Sequence, residues 1–232
     1  VTNTSGLADY FLQDKNDGNN LLDYLVSNGD TSLTFEQIIE RTKELPSKFP
    51  PGTPGKAYYS DGNFQLLGKI IENVTGKPMH EVYEELIFGP LALEQTYLYH
   101  NPSDTTPSDF YHKDQVLCIP KMMASFQADG GIVSTTEETL IFLRAHLNRE
   151  LHSQDFAKLN SGWNKINSPF QYGHGIMRFK YFGVPEMIGH SGANGSFAFY
   201  VPSKRLYITG TINQIDKPQL AYRLIAKILA KI

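Results

Sequence analysis

Two short clusters in the sequence hold side chains suited to acyl transfer. Tyr59-Ser60-Asp61 follows a Pro/Gly-rich turn and precedes an apolar-periodic stretch. A helix N-terminus is electropositive, because its first N–H groups lack partners. A phenol held there near a cation ionises more readily and can act as a general base. The same three residues also read as an ordinary helix start, with Ser60 or Asp61 as the cap and Tyr59 packed. The second cluster is His190-Ser191-Gly192, followed by Ala193. Small residues let a ligand approach a strand backbone closely. A His and a Ser hydroxyl there suit a substrate carboxylate or carbonyl, and the next N–H suits an oxyanion. The competing reading is a Gly-rich strand entry with a hydrogen-bonded His.

Helices and strands must position these clusters. Thr34, with Gln37 three residues on and Phe35, Ile38 and Ile39 at helical spacing, predicts a helix that ends before Pro46. Pro50, Pro51, Gly52, Pro54 and Gly55 predict a stiff connection. Leu66, Leu67, Ile70, Ile71 and Val74 give the next helix, about 62–75, an apolar face, and Gly76 stops it. Pro78 opens a third helix to about Phe88. Ser134 with Glu137 predicts a capping box for a helix holding Leu140, Ile141, Leu143 and Leu147. Phe197–Val201 and Leu206–Ile212, joined by Pro202-Ser203-Lys204, predict a β-hairpin. Leu220, Leu224, Ile225, Ile228 and Leu229 make an amphipathic terminal helix. The expected class is α+β: a mainly helical subdomain over 1–170, and over 171–232 an antiparallel sheet backed by the terminal helix.

Composition bounds the function. The 232 residues are 41% hydrophobic, enough for a sizeable core, so disorder as a class is set aside. The net charge is −3 and no basic run occurs, which gives nucleic-acid binding no support. One cysteine, Cys118, excludes an intrachain disulfide. No apolar run has the ~18–20 residues of a membrane span. His80-Glu81-Val82-Tyr83-Glu84 begins like a zinc helix but ends in Glu, and Asp14–Gly18 has its Gly misplaced for a calcium loop. Neither a metal nor a cofactor is expected.

Taken in order along the chain, the motifs resemble a family: the class C β-lactamases, D,D-peptidases and related esterases. Its signatures are Ser-x-x-Lys, Tyr-x-Asn or Ser-x-Asn, and Lys-Thr-Gly or His-Thr-Gly. Asn3-Thr4-Ser5-Gly6-Leu7 is similar to its Thr-Ser-Gly-Leu segment. Pro51-Gly52 through Tyr59-Ser60-Asp61, Leu66-Leu67-Gly68 and Thr75-Gly76-Lys77-Pro78 resemble its most recognisable stretch. Phe88-Gly89-Pro90-Leu91, Gly130-Gly131-Ile132-Val133, Tyr172-Gly173-His174-Gly175 and Gly189-His190-Ser191-Gly192 follow. The resemblance implies that Tyr59 is the general base and that His190 stands where β-lactamases have Lys. Ser191 and Gly192 would then line the substrate, with the Ala193 N–H as half of an oxyanion hole. Asp61 stands at the motif's Asn, an acidic departure. A His at position 190 resembles peptidases and esterases more than efficient β-lactamases. An extracytoplasmic bacterial enzyme is implied by resemblance alone.

The 232 residues contain no Ser-x-x-Lys. Thr53-Pro54-Gly55-Lys56 matches the spacing but lies in a Pro/Gly loop that cannot hold Thr and Lys one helical turn apart. The expectation is therefore an N-terminally truncated chain whose first strands and nucleophile helix belong to a preceding segment or separate fragment. That segment would be one partner, and a small-molecule or peptide substrate the other. The competing expectation is a binding homologue that keeps the fold without the nucleophile.

Overall fold

The computed structural model describes residues 2–13, 20–152 and 162–232. The Asp14–Gly18 turn lies outside them. Contacts divide the chain into two compact units, Val1–Ser108 with Cys118–Val133, and Asp109–Leu117 with Ser134–Ile232.

The first unit is mainly helical. It holds α1 (Leu21–Asn28), α2 (Phe35–Glu44), α3 (Asp61–Thr75), α4 (Met79–Tyr83) and α5 (Pro120–Ser125). The Thr34–Gln37 capping box of α2 is present in both directions. α3 ends where Gly76 turns left-handed (φ 68°) and its N–H bonds Glu72 O at 2.8 Å. The expected third helix widens after α4 into a π-turn over Glu84–Phe88. β1 (Tyr97–Leu98) pairs antiparallel with β4 (Ile132–Val133). Tyr10, Leu25, Ile38 and Met122 are fully buried and anchor this core.

The second unit is a layered sheet. Its six strands are β5 (Asn164–Asn167), β6 (Phe170–Tyr172), β7 (Met177–Phe179), β8 (Met187–Ser191), β9 (Phe197–Val201) and β10 (Leu206–Gly210). They lie in sequence order and are antiparallel throughout. The expected hairpin is β9–β10, closed by a 3₁₀ turn at Pro202–Lys204. Alternation sends Phe197, Phe199 and Val201 to one face, where Ala221, Ile225 and Leu229 of the terminal helix α7 (Gln219–Leu229) cover them. Ala198 and Tyr200 face the other way, onto a cluster built on Leu143 and Leu147 of α6 (Thr136–Asn148).

Two expectations need correction. A boundary after residue 170 would cut β6, and α6 packs on the sheet as its second backing helix. The cap of α6 is Thr135, whose Oγ1 accepts the Glu138 N–H at 3.1 Å. Ser134 and Thr135 both have a Glu three residues on, so the pattern is degenerate by one position. Thr135 wins because it is the last extended residue.

A small hairpin, β2 (Tyr111–His112) with β3 (Gln115–Val116), also belongs to the second unit. Its Tyr111 exchanges backbone hydrogen bonds with Asn213 and Ile215 at 2.8 and 2.9 Å. Among the described residues no helix is long and apolar enough to cross a membrane.

Candidate active site

The start of α3 is held by the N-terminal segment. Asn3 O accepts the Tyr58 N–H at 2.9 Å, and Asn3 Oδ1 accepts from the Ser60 N–H and Asn63 Nδ2 at 3.3 and 3.0 Å. Ser5 Oγ donates to Asn63 Oδ1 at 2.7 Å. Ser60 occupies the N-cap position, but its hydroxyl points inward and donates to Ala8 O at 2.8 Å. The capping oxygen comes instead from Asp9, whose Oδ2 accepts the Asp61 N–H at 2.9 Å. Oδ1 of the same carboxylate accepts from Phe11 and Leu12 N–H. Asp9 thereby braces the candidate site from outside both motifs. A cap supplied from 52 positions away leaves no local pattern.

Tyr59 and Asp61 are thus brought together at one helix head. The Tyr59 ring packs against Phe64, with centroids 5.7 Å apart, and its hydroxyl is hydrogen-bonded to the Asp61 carboxyl. Burial holds the Asp61 carboxyl well above the usual carboxylate range, and the charges of Asp9 and Asp129 raise it further. Asp129 accepts the Tyr10 hydroxyl at 2.6 Å. Burial pushes Asp129 up to about 6, against the opposing effect of the Tyr10 and Gln65 hydrogen bonds.

An acid whose folded value is raised favours folding fully below its unfolded value, and that contribution fades as pH rises. For Asp129 the fading runs from about pH 4 to about pH 6. Asp129→Asn keeps an acceptor for Tyr10 and removes the ionisation. Its unfolding free energy should exceed that of wild type by about 3 kcal/mol at pH 7, with little difference near pH 4. Urea titrations at the two pH values check this.

His190, Ser191, Gly192 and Ala193 lie in the second unit, at the end of β8 and in the turn to β9. His190 Nδ1 faces Ser191 O at 3.0 Å, so it carries the proton. Nε2 then accepts from the Tyr172 hydroxyl at 3.2 Å. Burial lowers the His190 value from the ordinary imidazole range, which favours this neutral tautomer near pH 7. The Tyr-Gly-His-Gly stretch marks Tyr172 in the sequence, but its contact with His190 arises only where β6 and β8 share one sheet. Ser191 points to the opposite face, and its Oγ lies 2.6 Å from the Tyr222 hydroxyl of α7. That hydroxyl is therefore engaged in the fold and is not brought together with the His190 ring. The Gly192 N–H bonds Ser196 O at 2.9 Å, which closes the turn. Among the described residues no hydrogen bond engages the Ala193 N–H at its tip. The turn is braced by Gln214 N–H on Asn194 O and Ile212 N–H on Gly195 O. Residues 212–216 also carry the β2–β3 hairpin, which ties it to the Ala193 turn.

This antiparallel sheet with helices on both faces is a β-lactamase/transpeptidase-like α+β fold. A D-amino acid amidase from Ochrobactrum anthropi superposes on it with a TM-score of 0.80 at 21% identity, covering all of this chain and 71% of that one. The chain belongs to the beta-lactamase family, whose model matches residues 1–230. Among curated relatives, a putative D-alanyl-D-alanine carboxypeptidase of Escherichia coli O157:H7 is 24% identical over 78% of this chain and 50% of its own length. A D-aminopeptidase of Cereibacter sphaeroides is 28% identical over 91% of this chain and 40% of its own. The chain therefore spans about half the length of the curated relatives it matches, or less.

Proposed function

We propose that these residues form part of a serine hydrolase that cleaves small D-amino-acid amides, peptides or esters through an acyl-serine intermediate. The observation that carries the proposal is the Ala193 N–H, without an acceptor among the described residues, at the tip of the turn that follows His190. A backbone donor held open by a braced turn is what a developing oxyanion requires. The relatives' names supply the D-amino-acid class. In this reading Tyr59 takes the proton of the attacking serine and returns it to the leaving group. Neutral His190, its Nε2 held by Tyr172, faces the substrate.

The serine and its lysine are absent from the 232 residues, so a segment bearing Ser-x-x-Lys is proposed to supply them, together with the second oxyanion N–H. A fluorophosphonate probe tests this. A polypeptide that includes such a segment should form one covalent adduct, on that serine, and the 232 residues alone should form none. An adduct on any residue of this chain refutes the assignment. A complete polypeptide that stays unlabelled supports a binding homologue instead.

A further inference from the structure

The segment that follows β10 runs between the Ala193 turn and the β2–β3 hairpin, and its backbone groups point alternately to the two sides, as in a middle strand. Towards the turn, the Ile212 and Gln214 N–H groups donate to Gly195 O and Asn194 O at 3.2 and 2.8 Å. Towards the hairpin, Asn213 O accepts the Tyr111 N–H at 2.8 Å, and the Ile215 N–H donates to Tyr111 O at 2.9 Å. This strap lies close against the turn: an added Cβ on Gly195 would come 3.1 Å from Ile212 Cβ.

The outer support of the strap is weak by itself. β2 and β3 have two residues each, and an isolated two-stranded hairpin is marginal in water. Lys113 in the hairpin turn and Asn213 in the strap both have left-handed backbone, with φ 57° and 56°. For a lysine that conformation is uncommon and persists where the surroundings fix it. Asp216 supplies the fixing contact from the end of the strap. Its Oδ1 accepts the Lys113 N–H at 3.0 Å, across 103 positions of sequence. Gln214 Nε2 adds only a long bond to Lys113 O, at 3.4 Å.

We propose that Asp216 is a positioning residue for the oxyanion donor: by holding the hairpin turn at Lys113 it fixes the strap, and the strap fixes the turn that carries the Ala193 N–H. A backbone donor already held in place needs no reorganisation when charge develops on the substrate oxygen. That benefit is realised in the transition state, so loosening the strap slows acylation more than it weakens substrate binding. The catalytic consequence rests on the hydrolase reading above, whereas the mechanical link does not. Lys217, with Nζ 4.0 Å from Asp216 Oδ2, touches the same carboxylate without taking part in the link, which makes it a control.

Amide hydrogen exchange in the complete polypeptide reads the link directly. Asp216→Ala should speed exchange at Tyr111, Ile212 and Gln214 by about tenfold, with the β9 amides unchanged. Asp216→Asn keeps an acceptor for the Lys113 N–H and should stay near wild type, as should Lys217→Ala. Unchanged exchange in Asp216→Ala overturns the link. Equal acceleration in β9 overturns it too, since Asp216 would then act on global stability alone. In acylation by a D-amino-acid ester, Asp216→Ala should lower the rate about tenfold with KM nearly unchanged, less than the ~10²–10³ lost with a whole donor. Asp216→Asn should restore the rate. Wild-type acylation alongside a loosened strap means that the donor is held without Asp216, and the proposal fails. If the wild type itself never acylates, the hydrolase reading fails while exchange still decides whether Asp216 holds the turn.

Discussion

Tyr59→Phe should slow acylation of the complete polypeptide by about 10³-fold, within the range that general acid–base groups contribute. The change removes one oxygen and leaves the packing. The ring would still meet Phe64, and the N-terminal segment would still hold Tyr58, Ser60 and Asn63 through Asn3. Stability should therefore fall by only about 1 kcal/mol, the net worth of the lost hydrogen bond to Asp61. The two readouts must diverge for the assignment to hold. Single-turnover acylation measures the first and urea unfolding the second. A rate loss below about tenfold would make Tyr59 a packing and capping residue, the bland reading of the same motif.

In the proposed reading the Ser-x-x-Lys segment also brings a cation to Tyr59, and a cation beside a phenol favours its ionisation.

Much of this arrangement was legible in the sequence wherever the cause is local. The Thr34–Gln37 box, the Gly76 stop, the β9–β10 hairpin and the stripe of α7 each depend on residues within a turn or two. Legibility fails where partners are distant. Ser60 looks like a side-chain cap, but its hydroxyl goes to Ala8, and Asp9 takes the capping role from another part of the chain. Leu143 and Leu147 declare a buried helix face without declaring what buries it, so α6 was grouped with the helices although the sheet covers it. The Tyr172–His190 contact links β6 and β8 across an intervening strand, which no spacing rule encodes. The motif residues were visible because their order along the chain is a signal in itself. Their supporting residues are set by the fold and appear only in three dimensions.

Gly189→Ala should destabilise the protein by about 3–5 kcal/mol, as expected where a substitution forces backbone apart in a core. Gly189 is the centre of β8, paired with Met177 on one side and Phe199 on the other. An added Cβ would sit 1.9 Å from Ala198 O and 2.8 Å from Phe199 Cα. Both are backbone atoms of β9 in the middle of the sheet, so no side chain can swing aside to make room. The sign is informative, because replacing Gly by Ala at an unstrained position stabilises by about 0.4–1 kcal/mol through the unfolded chain. Gly130→Ala, where an added Cβ meets nothing within 4 Å, supplies that comparison. The effect should also reach the site. Pushing β8 from β9 at Gly189 moves His190, whose neutral state depends on burial and whose Nε2 is held by Tyr172. The imidazole titration of His190 should therefore rise towards its ordinary value of about 6.5 in Gly189→Ala. An unchanged titration alongside the lost stability would mean that the end of β8 is set by the Gly192 turn and not by its pairing with β9.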